Sequence, residues 1–173
     1  SIEAYSMYEE LVKCSDLLTQ FGGHPMAAGL SLEEENVERF RRKLNEQSGL
    51  TEEDLVEKVT IDVPMPIHYI RKDLVQELSL LEPFGKGNEK PLFAQKNLWI
   101  SQMRVFGKNR NVVKMRLTDE NGYPMDGVYF GNGDEFAEEG RGKRKISIVY
   151  YPDINMYQGR ESLQVIIRHY QFD

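Results

Sequence analysis

Apolar residues recur at two different periods along this chain, and the change of period divides it. Tyr8, Leu11, Val12, Ser15 and Leu18 return at three- and four-residue spacing, which predicts a helix over residues 6–20. Gly22 and Gly23 end it. Residues 26–32 then read as a strand, short and small-sided enough for a sheet interior. Ser31 stands three residues before Glu34 in a capping-box pattern, and Val37, Phe40 and Leu44 form the apolar stripe of a second helix ending near Gly49. Val59, Ile61 and Val63 alternate with Thr60 and Asp62, a half-buried strand closed by Pro64 and Pro66. Leu74, Leu78 and Leu81 predict a third, packing helix.

Residues 82–91 hold two Pro and two Gly among charged side chains, a composition that breaks helix and strand alike. Beyond them the period is two. Strands are predicted over residues 99–108, 111–118, 125–130, 143–151 and 163–170, with turn signals at Asn121-Gly122 and Gln158-Gly159. A short helix over 133–139 falls between the third and fourth strands. That order is the one expected of a five-stranded OB-fold barrel, with a generic five-strand sandwich as the alternative.

The 173 residues, 40% of them hydrophobic, allow one good-sized domain or two small ones. The single Cys, Cys14, lies at helical spacing among apolar residues and has no internal partner for a disulfide, so it reads as a small buried hydrophobe in a reducing, cytoplasmic setting. No apolar stretch approaches the roughly 18 residues of a membrane span, and no basic-then-apolar leader precedes the first helix. Opening at Ser1 without an initiator Met, the chain reads as a piece of a longer protein.

A net charge of -6 argues against nucleic acid until its distribution is considered. Residues 1–96 carry 11 basic against 18 acidic residues, and residues 97–173 carry 11 against 10. Four of those 10 acids, Asp134, Glu135, Glu138 and Glu139, crowd the short helical segment. The strands are therefore left with a basic excess suited to tracking phosphates.

Within the second predicted strand, Val113, Met115 and Leu117 take one face and Lys114 and Arg116 the other. Arg104, Phe106 and Lys108 repeat that pattern on the first strand, and Arg110 follows in the loop. Cations interleaved with an exposed ring suit single-stranded DNA, because charges track phosphates and a ring stacks on any base. Tyr129, Tyr157 and Arg160 are second-rank candidates, since Tyr on a barrel is as often scaffold as platform. Lys143 and Arg144 read as a solvated edge.

The run Gly22-Gly23-His24-Pro25-Met26-Ala27-Ala28-Gly29 offers different chemistry. Glycines leave peptide N–H groups uncovered and His24 adds a donor or a positive charge, so the run can cradle an anion. The alternative is a tight turn between a helix ending near Phe21 and a small-residue strand, with His24 satisfied within it. Met26 reads as packing.

Gly22 through Ser31 resembles the motif of the DHH-associated domain of the DHH phosphoesterase superfamily. Two further stretches narrow the resemblance: Leu81-Glu82-Pro83-Phe84-Gly85-Lys86-Gly87-Asn88 with Pro91-Leu92-Phe93, and Asn155-Met156-Tyr157-Gln158-Gly159-Arg160 with Ser162-Leu163-Gln164. In this order, across nearly the whole chain, they resemble the C-terminal part of the RecJ family of single-stranded-DNA-specific 5′-to-3′ exonucleases. The resemblance implies an α+β architecture: the distal part of a DHH-associated domain (residues 1–82), a linker (83–96) and an OB-fold β-barrel (97–173). It implies that Gly22, Gly23 and His24 face the substrate phosphate, and that the barrel grips single-stranded DNA in repair and recombination, with other repair proteins as partners. Phe84, Gly85, Gly87 and Asn88 would form a fixed turn orienting the barrel.

Family members hydrolyse phosphodiesters with two divalent metals, Mg or Mn, held in a more N-terminal DHH domain that includes an Asp-His-His triplet. This chain has no such triplet, and its three His, His24, His68 and His169, lie far apart. No metal ligand and no complete catalytic set are expected within it, and alone it is expected to be inactive. His68 reads as structural, near the start of the third helix; His169 carries no assignment. Two other functions remain open: a DHH-superfamily phosphoesterase for short oligonucleotides or cyclic dinucleotides, and a non-catalytic module that docks DNA or protein.

Overall fold

A computed structural model describes residues 2, 4–56 and 58–173. The chain forms two compact units, Ser1–Val59 and Thr60–Asp173.

In the first unit, helix α1 (Met7–Lys13) is capped by Ser6, whose hydroxyl accepts from the Glu9 N–H. A 3-10 turn over Ser15–Leu17 follows, so Leu11, Cys14 and Leu17 stay buried on one face at three-residue spacing. Of the predicted stripe Tyr8, Leu11, Val12, Ser15 and Leu18, only Leu11 is buried, and the helix is shorter than predicted because a 3-10 turn and then the strand from Gln20 replace its second half. Strands β1 (Gln20–His24) and β2 (Ala27–Ser31) make an antiparallel hairpin joined by Pro25 and Met26. Gly22 and Gly23 therefore lie inside a strand. Gly23 adopts φ +144°, and a Cβ there would stand 2.4 Å from the Ala27 carbonyl oxygen, so no other residue fits. The hairpin is a sheet of two strands with most residues exposed, unlike the sheet interior expected of 26–32. Helix α2 (Val37–Gln47) follows a 3-10 turn over Glu34–Asn36 and has no side-chain cap; Ser31 is taken up by β2, so the predicted capping box does not form. The box in this unit is Thr51 with Asp54, at the 3-10 turn Glu52–Leu55.

The second unit is built on β4 (Phe93–Phe106), β5 (Val112–Thr118), β6 (Pro124–Phe130), β7 (Lys145–Tyr157) and β8 (Arg160–Phe172), with helix α4 (Gly133–Glu139) between β6 and β7. Before them come β3 (Val63–Pro64) and helix α3 (Lys72–Ser79). The sheet order is β3-β4-β5-β6-β8-β7, and β4 also pairs with β7. The five long strands thus close into a ring, the OB-fold barrel. The strand β4 begins six residues before its predicted start: residues 93–99 pair with β7 and 99–106 with β5. Irregularities after Gln95 and Ile100 interrupt the alternation that would have revealed it.

Val113, Met115, Leu117, Ile146, Ile148, Val165 and Ile167 fill the barrel, and Phe136 of α4 is buried among them. Ile67 and Ile70, which precede α3, belong to the same core and are fully buried. The Tyr150 hydroxyl donates to the Met65 carbonyl at 2.6 Å. Residues 60–92 consequently pack with the barrel, whereas composition placed the division within 83–96. The strand predicted over 59–63 shortens to β3, which pairs in parallel with the start of β4, and Leu81 is exposed beyond the end of α3.

Candidate nucleic-acid interface

Strand pairing brings the predicted cations together. In the register of β4 with β5, Gln102 faces Arg116 and Arg104 faces Lys114. Directly opposed residues share a face of the sheet. Lys114 and Arg116 are exposed while Val113, Met115 and Leu117 are buried, as their alternation requires. The result is a depression of about 510 Å³ lined by Arg104, Phe106, Lys114 and Arg116 from β4 and β5, with Asp126 from β6 and Gln164 from β8.

Its cations differ in availability. Among the described residues, Arg104, Lys108 and Lys114 enter no ion pair, whereas Arg116 is 2.5 Å from Asp126, its register partner on β6. The Lys114 ammonium lies 6.0 Å from the centre of the Phe106 ring, leaving that exposed ring next to a positive charge. Lys108 is exposed in the β4–β5 turn. Arg110 in the same turn directs its Nε–H at both carboxylate oxygens of Asp134 on α4, at 2.7 and 2.9 Å. That contact raises the guanidinium further and holds the Asp134 carboxyl below the usual carboxylate range. Arg110 therefore clamps loop to helix and stands outside the depression.

Tyr129 also lies elsewhere. On β6 the charge of Asp126 fixes the outward parity, so Asp126, Val128 and Phe130 share the groove face and Tyr129 turns inward. Its ring stacks on Phe136 at 4.7 Å and meets Tyr170 edge-on at 5.2 Å. The same parity exposes Phe130 at 60%, opposite Val112 and in line with Phe106, a ring that sequence reasoning missed although Asp126 signalled it. Tyr157 and Arg160 face each other across the Gln158-Gly159 turn at the tip of the β7–β8 arm, exposed. Two residues inward, Asn155 and Ser162 reach the depression.

In the first unit, Gly22 and Gly29 face each other across the hairpin, in a shallow hollow of about 300 Å³ with Phe21 and Leu30. His24 is exposed at the strand end. In a two-stranded hairpin alternate N–H groups point away from the partner strand, so this small-sided surface keeps free donors.

One pair was not foreseen. Asp119, at the β5–β6 turn, is buried, and its carboxylate accepts from the N–H groups of Asn121 and Tyr123 at 3.0 and 2.8 Å and pairs with His68 Nδ1 at 2.8 Å. Burial opposes its ionisation, but the Tyr123 N–H, His68 and the Asn121 N–H outweigh it and hold the carboxyl below its ordinary value. His68 is structural, as expected, and it ties the segment before α3 to the turn.

Comparison with known proteins agrees with this architecture. Residues 61–169 match the RecJ OB domain. The single-stranded-DNA-specific exonuclease RecJ of Bacillus subtilis is 37% identical over 172 residues, covering 97% of this chain and 21% of that protein. The Escherichia coli protein of the same name is 32% identical over 96% of this chain and 30% of its own length. The chain thus spans between a fifth and a third of these relatives. Thermus thermophilus RecJ crystallised with Mg²⁺ superposes with a TM-score of 0.73 at 22% identity, over 96% of this chain and 25% of that one, and the Mn²⁺ complex with 0.74 at 23%. With a barrel of this strand order under a match that covers most of the chain, the chain belongs to the RecJ OB domain family.

Proposed function

We propose that this chain is the substrate-binding C-terminal portion of a RecJ-type exonuclease that degrades single-stranded DNA from its 5′ end in repair and recombination. The reading rests on one observation: Arg104 and Lys114, face to face and in no ion pair among the described residues, stand beside the exposed rings of Phe106 and Phe130. Cations meet phosphates and rings meet bases, which is what a sequence-tolerant single-strand grip requires. Lys108, Arg116, Tyr157 and Arg160 extend this surface, Arg116 by exchanging Asp126 for a phosphate.

Residues 1–59 supply the distal part of the DHH-associated domain, where Gly22, Gly23 and His24 contact the terminal phosphate. Among the described residues no group of three His, Cys, Asp or Glu is placed to hold a metal ion. These residues do not fit a two-metal centre, so hydrolysis and its Mg or Mn ions are assigned to a DHH domain elsewhere in the longer protein. A cytoplasmic setting with other repair proteins as partners accords with this role, and no helix among the described residues is long and apolar enough to cross a membrane.

Fluorescence anisotropy of the purified chain with labelled single-stranded and duplex DNA across a salt series tests the proposal. We expect salt-sensitive, single-strand-selective binding without cleavage. Replacing Arg104 and Lys114 together by Ala should lower the salt slope by about 1.4, two phosphates at about 0.7 each. Absence of binding at low salt, or equal affinity for duplex, would overturn it.

A further inference from the structure

The groove face does not stop at the depression. From β4 to β7 the partners run Arg104, Lys114, Val128, Ile166 and Tyr151 without a break. This row crosses five strands in four spacings of about 4.8 Å and follows the curve of the closed barrel. Its first two members are cations, and its middle, Val128 and Ile166, is apolar and buried. At the far end charge returns. The Lys90 ammonium stands 4.0 Å from the centre of the Tyr151 ring and 5.4 Å from that of Phe84. Arg168, which the register shift between β7 and β8 leaves without a partner residue, is exposed. Lys90, Tyr151 and Arg168 line one depression of about 350 Å³ with Glu89 and Leu92, and neither cation enters an ion pair among the described residues.

Resting on the single-strand reading above, we propose that Lys90, Tyr151 and Arg168 form a second contact station for the same DNA strand, at the opposite end of the row from Arg104 and Lys114. Phosphates engage the two charged ends. The Pro-Phe-Gly-x-Gly-Asn turn acquires a role here, because Phe84 and the backbone through Lys90 hold the Lys90 ammonium over Tyr151. Among the acids near the row, Asp126 is engaged by Arg116, while Glu89 in the far depression and Asp153, which accepts from the Gln164 amide at 2.7 Å, keep their charge opposite Lys90 and Arg168.

The test uses the whole chain with oligothymidylates of about 4 and about 16 nucleotides, the limits of what one OB fold holds. Replacing Lys90 and Arg168 together by Ala should weaken binding of the longer strand about tenfold and lower its salt slope by about 1.4, leaving the shorter strand unaffected. The Lys90→Arg, Arg168→Lys pair should restore both. Arg168→Ala alone, on β8 and outside the Phe84 turn, should lower the slope by about 0.7 even where the double variant loosens that turn. If the unaltered chain binds the long strand and only the Arg104 and Lys114 variants weaken it, this inference falls and the groove reading stands. If the unaltered chain binds neither strand, both fall.

Discussion

The two units solve the problem of burying apolar surface differently. The barrel wraps five strands round a continuous core and covers it with α4 and with Ile67 and Ile70. The first unit offers Leu11, Cys14 and Leu17 beneath a two-stranded hairpin, and its longer helix, α2, has no buried residue. A two-stranded hairpin is marginal by itself, whereas a closed sheet with its own core carries independent stability. The two should therefore respond separately to perturbation, the barrel cooperatively and the hairpin unit locally.

The largest effect should come from the barrel core. Phe136→Ala removes a fully buried ring that packs on Tyr129, Tyr170 and Phe172, and should cost about 3–5 kcal/mol. The single Trp, Trp99, lies on β4 with the Lys145 ammonium 4.4 Å from its ring, so Trp fluorescence during denaturant unfolding reads the barrel alone. A midpoint unmoved by this substitution would break the comparison.

A smaller effect should stay in the other unit. Gly23→Ala forces a side chain into φ +144° against the Ala27 carbonyl and should cost about 1–3 kcal/mol. Hydrogen exchange should quicken in residues 20–31 while the Trp99 transition holds, and a shift of that transition would show that the units unfold together.

The smallest sharpens the barrel side. Asp119 has a carboxyl pKa lowered by folding, so its contribution is fully present above the ordinary carboxylate range near about pH 4 and is lost as pH falls through the folded value. Asp119→Asn keeps an acceptor for the Asn121 and Tyr123 N–H groups but loses the charge. It should cost about 1 kcal/mol at neutral pH and flatten the acid limb of the stability profile. An acid limb identical to that of the unaltered chain would assign the acid sensitivity to other groups.

Alternation made the barrel legible. Lys114 and Arg116 announced their face because Val113, Met115 and Leu117 left no other choice, and α4 appears with its predicted bounds because Asn132 caps it and Gly140 follows it. Where a residue's partner is distant, the sequence was silent. Nothing local tells that Arg110 meets Asp134 or that His68 meets Asp119, 51 positions away. Ile67 and Ile70 sit in a Pro-punctuated stretch without a helical or strand period, so their place in the core could not be read, and the unit boundary moved with them. Gly22 and Gly23 suit a turn and a tight hairpin equally, and only the Ala27–Ser31 partner strand decides between them.

Pairing with β4 ends at Tyr150, and pairing with β6 begins at Gln164. The ribbon between them, tipped by Gln158 and Gly159, therefore has no strand on either flank. A lone pair of strands bends on the nanosecond to microsecond scale far more readily than a closed ring. Lys72 of α3 pairs with Glu161 of the ribbon at 2.7 Å, a surface contact. Asn155 and Ser162 ride on the base of this ribbon, so one wall of the depression hangs on a two-stranded arm while the others belong to the closed ring.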